Sequence, residues 1–305
     1  MPSIESKIIR FFLGIFNFKW FVEKALKKPP RTNIKLSDTP EFQKLNTCEF
    51  LVCGKSVITI TPNLCNNKLH ILFFHGGAYV FEGSAMHRKL VVTFANKVSC
   101  KVSYIDYPLA PESTYIQTFE MVQKSYNLLV DKYPNDSFVF IGDSAGGGLA
   151  LAFAQKLASE NAIIQPQKLI LFSPWLDLKM DNPQISSYIT RDKILTLNGL
   201  KFTACSYAGG DNLRNYLLSP MFGNFDKLCS TLVFYGTEEL LCPNIELMKI
   251  KTQLLPQFVF RKFNSMQHDW VILPIPEADH AINEAVDFIF LNLISFEKMY
   301  KTSLY

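Results

Sequence analysis

A turn of five residues, Gly142-Asp143-Ser144-Ala145-Gly146, limits the possible folds of this chain more than any other segment. It follows the apolar run Phe138 to Ile141 and precedes Gly147 to Ser159, which is rich in Ala and Leu. The serine is therefore predicted at a tight turn from a strand into a helix, the setting of a nucleophile elbow. Flanking glycines carry no Cβ, so strand and helix can approach closely while the serine hydroxyl is presented at a helix N-terminus, which favours negative charge.

Short apolar runs alternate with helical patterns along most of the chain. Strands are predicted at 57–61, 69–74, 102–106, 138–141, 169–172, 231–235 and 258–263, and helices at 86–98, 119–132, 147–159 and 278–293. This alternation is typical of a mostly parallel sheet covered by helices on both faces. Residues 179–221 break the rhythm because they are mixed in character and not strand-like, which indicates an insertion between two strands.

The composition excludes several classes of protein. With 305 residues, 48% of them hydrophobic and 19% charged, the chain is expected to form one globular domain over residues 1–305. A net charge of +4 without a long basic run argues against nucleic-acid binding. The seven cysteines are odd in number and widely spaced, so we expect free thiols in a reducing cytoplasm. No cysteine and histidine cluster has metal-ligand spacing, so no metal is predicted.

The apolar segment 8–22 near the N-terminus leaves two interpretations open. Its uncharged run, residues 11–18, is far shorter than the roughly 20 residues that a membrane span needs. No A-x-A-like site precedes the following lysines, which argues against a secretory signal. One interpretation is a helix that packs over the domain as part of a cap, and the other is an interfacial helix with Trp20 in the bilayer and Lys24, Lys27 and Lys28 at the headgroups. Both hold together if the substrate is lipid-like.

A serine nucleophile needs a base to take its proton and an acid to orient that base. Of the five histidines, only His268 and His280 follow Ser144. His280 lies in an amphipathic stretch, whereas His268 lies in a loop just past the last predicted strand. His268 is therefore the predicted base. The acid is expected after strand 231–235, where Glu238 and Glu239 stand side by side, and their spacing leaves both open.

Hydrogen-bond donors for the oxyanion are predicted in two places. His75-Gly76-Gly77-Ala78 follows a strand, as the donor loop of a serine hydrolase does, and its glycines allow backbone N–H groups to face the substrate oxygen. The N–H of Ala145, directly after the serine, is the remaining donor. The predicted oxyanion hole thus consists of Gly76, Gly77 and Ala145, each donor contributing about 3 kcal/mol of transition-state stabilisation.

Together these segments resemble the hormone-sensitive-lipase-like branch of the α/β-hydrolase fold. The matching pieces are His75-Gly76-Gly77, Asp106 to Glu112, Gly142 to Gly147, Ser173 to Asp177, and His268. The resemblance implies an eight-stranded, mostly parallel sheet flanked by helices. It also implies a helical cap built from about 1–43 and 179–221, and no cofactor. The acid loop of that branch resembles G-x-x-D-x-L, which Gly236 to Leu241 matches with Glu239 at the Asp position. Ala78 stands where the branch often has a third glycine.

The resemblance implies a serine hydrolase that cleaves carboxylic esters of short- to medium-chain or acetyl type through an acyl-enzyme. Ser144 is the expected nucleophile, His268 the base and Glu239 the acid. One alternative is a membrane-associated lipase or steryl-acetate deacetylase that reaches lipid through the N-terminal helix. The other is a non-catalytic ligand receptor on the same fold, which the presence of His268 disfavours. A cytoplasmic location is expected, with peripheral membrane contact as the variant.

Overall fold

The computed structural model describes residues 2–15, 18–32, 34–65 and 67–291. Residues 16 and 17 of the predicted N-terminal helix, and 292 and 293 of the predicted last helix, lie outside that range. The centre of the molecule is one eight-stranded sheet in the order β1-β2-β4-β3-β5-β6-β7-β8. Its strands are β1 (Asn46–Val52), β2 (Lys55–Thr61), β3 (Leu69–Phe74), β4 (Lys101–Ile105), β5 (Ser137–Asp143), β6 (Lys168–Phe172), β7 (Ser230–Gly236) and β8 (Phe258–Phe263).

The strands from β4 to β8 in this order are parallel, and β2 is antiparallel to both β1 and β4. This confirms the predicted eight-stranded, mostly parallel sheet. The central strands β3 and β5 read as nearly continuous apolar runs because both of their faces are buried. The sequence pattern missed β1, whose polar Asn46, Thr47 and Glu49 sit on a largely exposed edge strand.

Eight α-helices accompany the sheet in the described residues: α1 (Ile4–Ile15), α2 (Phe18–Lys27), α3 (Ala85–Val98), α4 (Tyr115–Lys132), α5 (Ser144–Ser159), α6 (Leu197–Ala208), α7 (Cys242–Lys251) and α8 (Pro276–Phe290). Apolar residues of α3 and α8 pack in one core cluster, and those of α4, α5 and α7 pack in another, so the two faces of the sheet are both covered. The predicted helices at 86–98, 119–132 and 147–159 correspond to α3, α4 and α5.

The N-terminal helices lie against the insertion and the loops that follow the strands. Leu26 of α2 packs against Gly199 of α6, and Lys19 Nζ donates to the carbonyl of Ile189 at 2.6 Å. Ser3 N and Oγ donate to the carboxylate of Glu277 at the start of α8, at 2.6 and 2.9 Å. Across the described ranges, no helix has both the length and the hydropathy to span a bilayer.

Candidate active site

Ser144 stands at the junction of β5 and α5 with a φ of +51°, a left-handed conformation that non-glycine residues seldom adopt. Two glycines make this turn possible. A Cβ on Gly146 would clash with the carbonyl oxygens of Phe74 and His75, and one on Gly142 would clash with the carbonyl of Gly146. The predicted elbow therefore exists, and it needs glycine at both flanks for reasons of space.

The side chains of Ser144, His268 and Glu239 form one continuous line of hydrogen bonds. Ser144 Oγ lies 2.8 Å from His268 Nε2, and His268 Nδ1 lies 2.8 Å from Glu239 Oε2. Because a carboxylate only accepts, Nδ1 carries the ring proton and Nε2 is free to accept from the serine hydroxyl. The three side chains are 5%, 2% and 0% exposed. The structure thus brings together the three residues that the sequence placed on separate loops.

The two adjacent glutamates have different surroundings. Glu239 Oε1 accepts from the N–H of Gly236 at 2.8 Å and from Ser173 Oγ at 3.1 Å, leaving Oε2 for His268. Burial raises the pKa of Glu239, and the bond to His268 is the largest of the contacts that oppose this rise. Glu238 instead forms ion pairs with Arg10 and Arg191 at 3.0 and 2.7 Å. Geometry therefore singles out Glu239 as the partner of the imidazole.

A second carboxylate adjoins the imidazole. Asp269 Oδ2 lies 3.3 Å from His268 Nε2, and Asp269 has a φ of +52°. Burial alone would lower the pKa of His268, but the carboxylates of Asp269 and Glu239 outweigh it, so the pKa lies well above the ordinary histidine value. Asp269 could not be identified from the sequence, because a carboxylate next to a predicted base has no distinguishing spacing.

The structure differs from the sequence-based expectation at Gly76. Its N–H donates to Asp143 Oδ2 at 2.9 Å, so it is not available for a substrate oxygen. The N–H groups of Gly77, Ala78 and Ala145 have no acceptor among the described residues. Gly77 and Ala78 have φ values of +120° and +52°, so the chain leaves β3 through a turn in backbone conformations that favour glycine. Gly76 is therefore part of the loop's anchor, while Gly77 and Ala145 remain candidate donors and Ala78 joins them.

Asp143 and two histidines fasten this donor loop to the elbow. Asp143 Oδ2 also accepts from His87 Nε2 at 3.0 Å, and His87 Nδ1 accepts from the N–H of Ser84 at 2.9 Å. An N–H only donates, so the His87 ring is neutral with its proton on Nε2. His75 stacks on Tyr107 with ring centroids 4.3 Å apart, and burial lowers the pKa of His75 to about 4. Burial would also lower the pKa of His87, but the adjacent Asp143 carboxylate outweighs burial and raises it. Both histidines support the donor loop.

The insertion supplies one residue that sequence analysis missed. Asp192 is fully buried and accepts from the N–H groups of Ile194 and Leu195 within the insertion, each at 2.8 Å. Its other oxygen accepts from the N–H of Leu240 at 2.8 Å, directly after Glu239. The insertion is thereby fixed to the acid loop. A lone Asp in a mixed segment carries no spacing signal that could have revealed this contact.

Three aromatic side chains fill the space beside the elbow. Tyr79, just after the donor loop, stacks on Tyr207 of α6 with ring centroids 3.9 Å apart and an interplanar angle of 2°. The ring of Trp175 lies 5.8 Å from that of Tyr79, and the backbone N–H of Trp175 donates to the carbonyl of Ser144 at 2.8 Å. All three are almost completely buried. The insertion therefore reaches the neighbourhood of the nucleophile through stacked rings.

The chain is similar to known proteins in both sequence and structure. Residues 71–272 match a family model described as the alpha/beta hydrolase fold. An esterase of Acinetobacter venetianus is 29% identical over 223 residues, which cover 72% of this chain and 73% of the relative. An acetyl-hydrolase of Streptomyces hygroscopicus is 28% identical over 223 residues, covering 72% and 74%. The crystal structure of an esterase from the bacterial hormone-sensitive lipase family has a TM-score of 0.72 and 25% identity, covering 88% of this chain and 89% of that one.

A buried Ser–His–Glu line on a parallel sheet with free backbone donors beside it defines a serine hydrolase of the α/β type. The family model covers most of the chain, and this protein belongs to the α/β-hydrolase fold family. The resemblance to its hormone-sensitive-lipase-like branch, predicted from the motifs, is confirmed by the likeness to the solved esterase.

Proposed function

We propose that this protein is a serine carboxylesterase in which Ser144 is the nucleophile, His268 the general base and Glu239 the acid that orients it. The observation that carries the proposal is the unbroken line of two 2.8 Å hydrogen bonds through a buried imidazole. The reaction class rests on more than this geometry. The chain matches the α/β-hydrolase family model and is similar to an esterase and an acetyl-hydrolase over most of its length, and the protein is an ester-cleaving serine hydrolase acting on a small-molecule ester.

The first half of the reaction acylates the enzyme. His268 Nε2 takes the hydroxyl proton as Ser144 Oγ bonds to the ester carbonyl carbon, giving a tetrahedral intermediate. Free N–H groups of Gly77, Ala78 and Ala145 stabilise its oxyanion, and Glu239 stabilises the imidazolium. The C–O bond to the alcohol then breaks, and His268 returns the proton to the leaving oxygen. The products of this half are the free alcohol and an acyl-Ser144 ester.

The second half repeats these steps with water. His268 takes a proton from a water molecule, whose oxygen attacks the acyl carbon, and the same donors stabilise the second oxyanion. Collapse of this intermediate breaks the bond to Ser144 Oγ, which takes the proton back from His268. The carboxylic acid leaves and the enzyme is restored. The ester and one water molecule supply all the atoms of the alcohol and the acid, so the reaction balances.

Turnover of p-nitrophenyl acetate and butyrate tests the proposal. Ser144→Ala is expected to lose activity by about 10⁴-fold or more while the fold, measured by thermal melting, is kept. Glu239→Gln is expected to lose far more activity than Glu238→Gln, its neighbouring control, because the Glu238 carboxylate pairs with Arg10 and Arg191 and not with His268. Undiminished turnover by the Ser144 variant, or a greater loss at Glu238, would overturn the assignment.

The acyl preference of the proposed enzyme is for acetyl and short- to medium-chain esters. The support is the stack of Tyr79, Tyr207 and Trp175, which occupies the space next to the first turn of α5. In this proposal the N-terminal residues 1–43 and the insertion 179–221 form a cap on a single domain over residues 1–305. A panel of esters graded by acyl-chain length measures the preference, and a maximum at long chains would contradict it.

A second candidate function is that of a lipase or steryl-acetate deacetylase that works at a membrane surface from a cytoplasmic location. The specific observation in its favour is the outer side of α1, where Ile4, Ile8, Phe11 and Ile15 are all exposed. Turnover of a steryl acetate held in vesicles, compared with turnover of p-nitrophenyl acetate in solution, distinguishes it from the leading candidate. No turnover of the vesicle-held ester would remove this candidate and leave the first intact.

A further inference from the structure

We propose that α1 and α2 form a docking surface for an anionic lipid bilayer, which we call the docking face. It consists of the exposed side chains Ile4, Ile8, Phe11, Ile15, Phe18, Trp20 and Phe21, with Lys7, Lys24, Lys27 and Lys28 at its edges. This inference extends the proposed function by naming the partner of the enzyme. It requires no change in the catalytic assignment.

Helix α1 is apolar on two sides, which a helix packed on a globular protein does not need. Its inner side carries Ile9, which packs against the core cluster that contains Met266 and Trp270, and Leu13, which lines a small cavity with Ile9 and Trp270. Its outer side carries the stripe Ile4, Ile8, Phe11 and Ile15, at spacings of four and three residues. These four side chains are 49–71% exposed. A helix with only one apolar side would pack equally well, so the second stripe points to another apolar partner.

Helix α2, which lies beside α1, also exposes apolar side chains and adds residues suited to a membrane interface. Phe18, Trp20 and Phe21 are 40–57% exposed, and the Trp20 ring packs edge-on to Phe21 at 5.0 Å. Lys24 Nζ lies 5.3 Å above the Trp20 ring. Tryptophan and lysine side by side match a bilayer boundary, where an amphipathic ring sits at headgroup level and an ammonium group meets phosphate.

The net charge of the protein is concentrated in this region. The first 28 residues contain six basic and two acidic residues, so the whole formal charge of +4 resides there. The other 277 residues have equal numbers of basic and acidic side chains. Such a distribution directs the N-terminal region toward a negatively charged surface. A bilayer that contains anionic lipid offers that charge together with an apolar interior.

A second copy of the chain fits the docking face less well. A two-fold symmetric pair places the same patch on both sides of the contact, so the lysines of one protomer would face those of the other. Like charges across an interface oppose association. The bilayer has no such conflict, because its apolar core takes the phenylalanines and its headgroups take the lysines.

Docking in this orientation places the active-site loops near the membrane. The inner side of α1 lines a small cavity together with Ser265, Met266 and Gln267, which directly precede His268. Arg10 of α1 also pairs with Glu238, next to Glu239, at 3.0 Å. A helix with its side chains is about 10 Å thick, so the loop that carries the base lies roughly one helix diameter from the headgroups.

Vesicle co-sedimentation of the full-length protein tests the proposal. Vesicles of phosphatidylcholine alone are compared with vesicles that also contain phosphatidylglycerol. The triple variant Ile8→Ser, Phe11→Ser, Phe21→Ser removes apolar side chains from the docking face. Its matched control, Leu64→Ser, Ile163→Ser, Leu254→Ser, removes three side chains that are 70–102% exposed elsewhere. We expect the first variant to lower the vesicle partition coefficient by at least about tenfold and the control to leave it unchanged.

A charge variant tests whether the lysines of the docking face contribute to vesicle binding. Lys24→Gln, Lys28→Gln is expected to weaken binding to anionic vesicles by roughly fivefold for each lysine, and Lys44→Gln, Lys89→Gln serves as its control. Turnover of p-nitrophenyl acetate in solution separates this proposal from the proposed function, because the docking variants keep it and a failure of the catalytic assignment abolishes it. Equal vesicle binding by wild type and triple variant overturns the docking face. So does a dimer in sedimentation equilibrium that depends on these side chains without vesicle binding.

Discussion

The carboxylate of Asp143 connects the two parts of the site that must face one substrate carbonyl. One oxygen accepts from Gly76 in the donor loop and from His87, while the residue itself directly precedes Ser144. The nucleophile and the loop that supplies Gly77 and Ala78 are thereby held at a fixed separation. Small displacements of oxyanion donors are costly, since the donors act at hydrogen-bond distance on charge that develops only in the transition state.

Asp143→Ala is therefore expected to lower kcat by about 10²-fold with a small change in KM. The donor loop loses its anchor, and its N–H groups stabilise the transition state rather than the bound substrate. Asp143→Asn is the matched control, since its amide oxygen can accept from Gly76 and His87 as Oδ2 does. We expect it to retain activity within a few-fold. Steady-state kinetics measures both variants, with thermal melting to check the fold. Equal losses in the two variants would show that the negative charge matters and the hydrogen bonds do not.

The pH dependence of kcat/KM follows from the carboxylates around His268. Only the neutral imidazole can act as a base, and its pKa is raised well above the ordinary histidine value. The value of kcat/KM should therefore rise with pH and reach its plateau at a higher pH than it would with an unperturbed histidine as the base. Asp269→Asn removes a group that stabilises the imidazolium, so the pKa falls and the acid limb moves to lower pH. Asp279→Asn, on an exposed position of α8, should not move the limb. An unchanged limb in the Asp269 variant would contradict this account.

At the scale of elements, the contact between α5 and the loop after β3 determines how the elbow is built. Gly146 on α5 lies against the carbonyls of Phe74 and His75, so strand and helix touch through backbone atoms. Gly146→Ala is expected to destabilise the protein by about 3 kcal/mol or more, because the added Cβ would meet backbone atoms of Phe74 and His75 that cannot rotate away. Gly14→Ala on α1 is the control, since nothing lies within 4 Å of its added Cβ. Urea unfolding measures both, and equal stability of the two variants would contradict this account.

The central elements could be predicted from sequence because burial on both faces makes β3, β5, β6 and β7 continuous apolar runs. Edge strand β1 could not, because its polar residues face solvent and its pairing depends on a hairpin with Cys53 and Gly54 at positive φ. Ser144 could be identified from the elbow motif, and His268 from the order of the loops along the chain. Glu239 was not separable from Glu238 by spacing, since the difference lies in which side chain turns inward.

Prediction of the donor loop from the sequence was limited in a similar way. Glycine spacing located the loop, but it could not reveal which N–H groups are already bonded within the protein. Asp143 takes the N–H of Gly76, and that contact joins residues 67 positions apart in the sequence. Contacts made by single polar residues across the fold, such as Asp192 with the acid loop, have no local pattern and became visible only in three dimensions.

At the scale of the whole molecule, the insertion and the sheet meet at the nucleophile through Tyr79 and Tyr207. Tyr79 continues from the donor loop, and its hydroxyl approaches Gly148, one helical turn after Ser144. Tyr207 belongs to α6, which also packs against α2 through Gly199. The ring stack therefore connects the N-terminal helices, the insertion and the catalytic elements in one layer. Acyl-chain preference should depend on this layer because it borders the nucleophile.

Tyr207→Ala is expected to remove one ring of the stack and leave space beside Tyr79 that a longer acyl chain can occupy. The ratio of kcat/KM for p-nitrophenyl octanoate to that for the acetate should rise by roughly tenfold or more, since several additional methylenes become buried in the bound ester. Phe202→Ala is the control, because Phe202 lies on the same helix but is 44% exposed. Its ratio should match that of the wild type. If the Tyr207 variant loses activity equally on both esters, the stack supports the fold of the insertion and does not limit chain length.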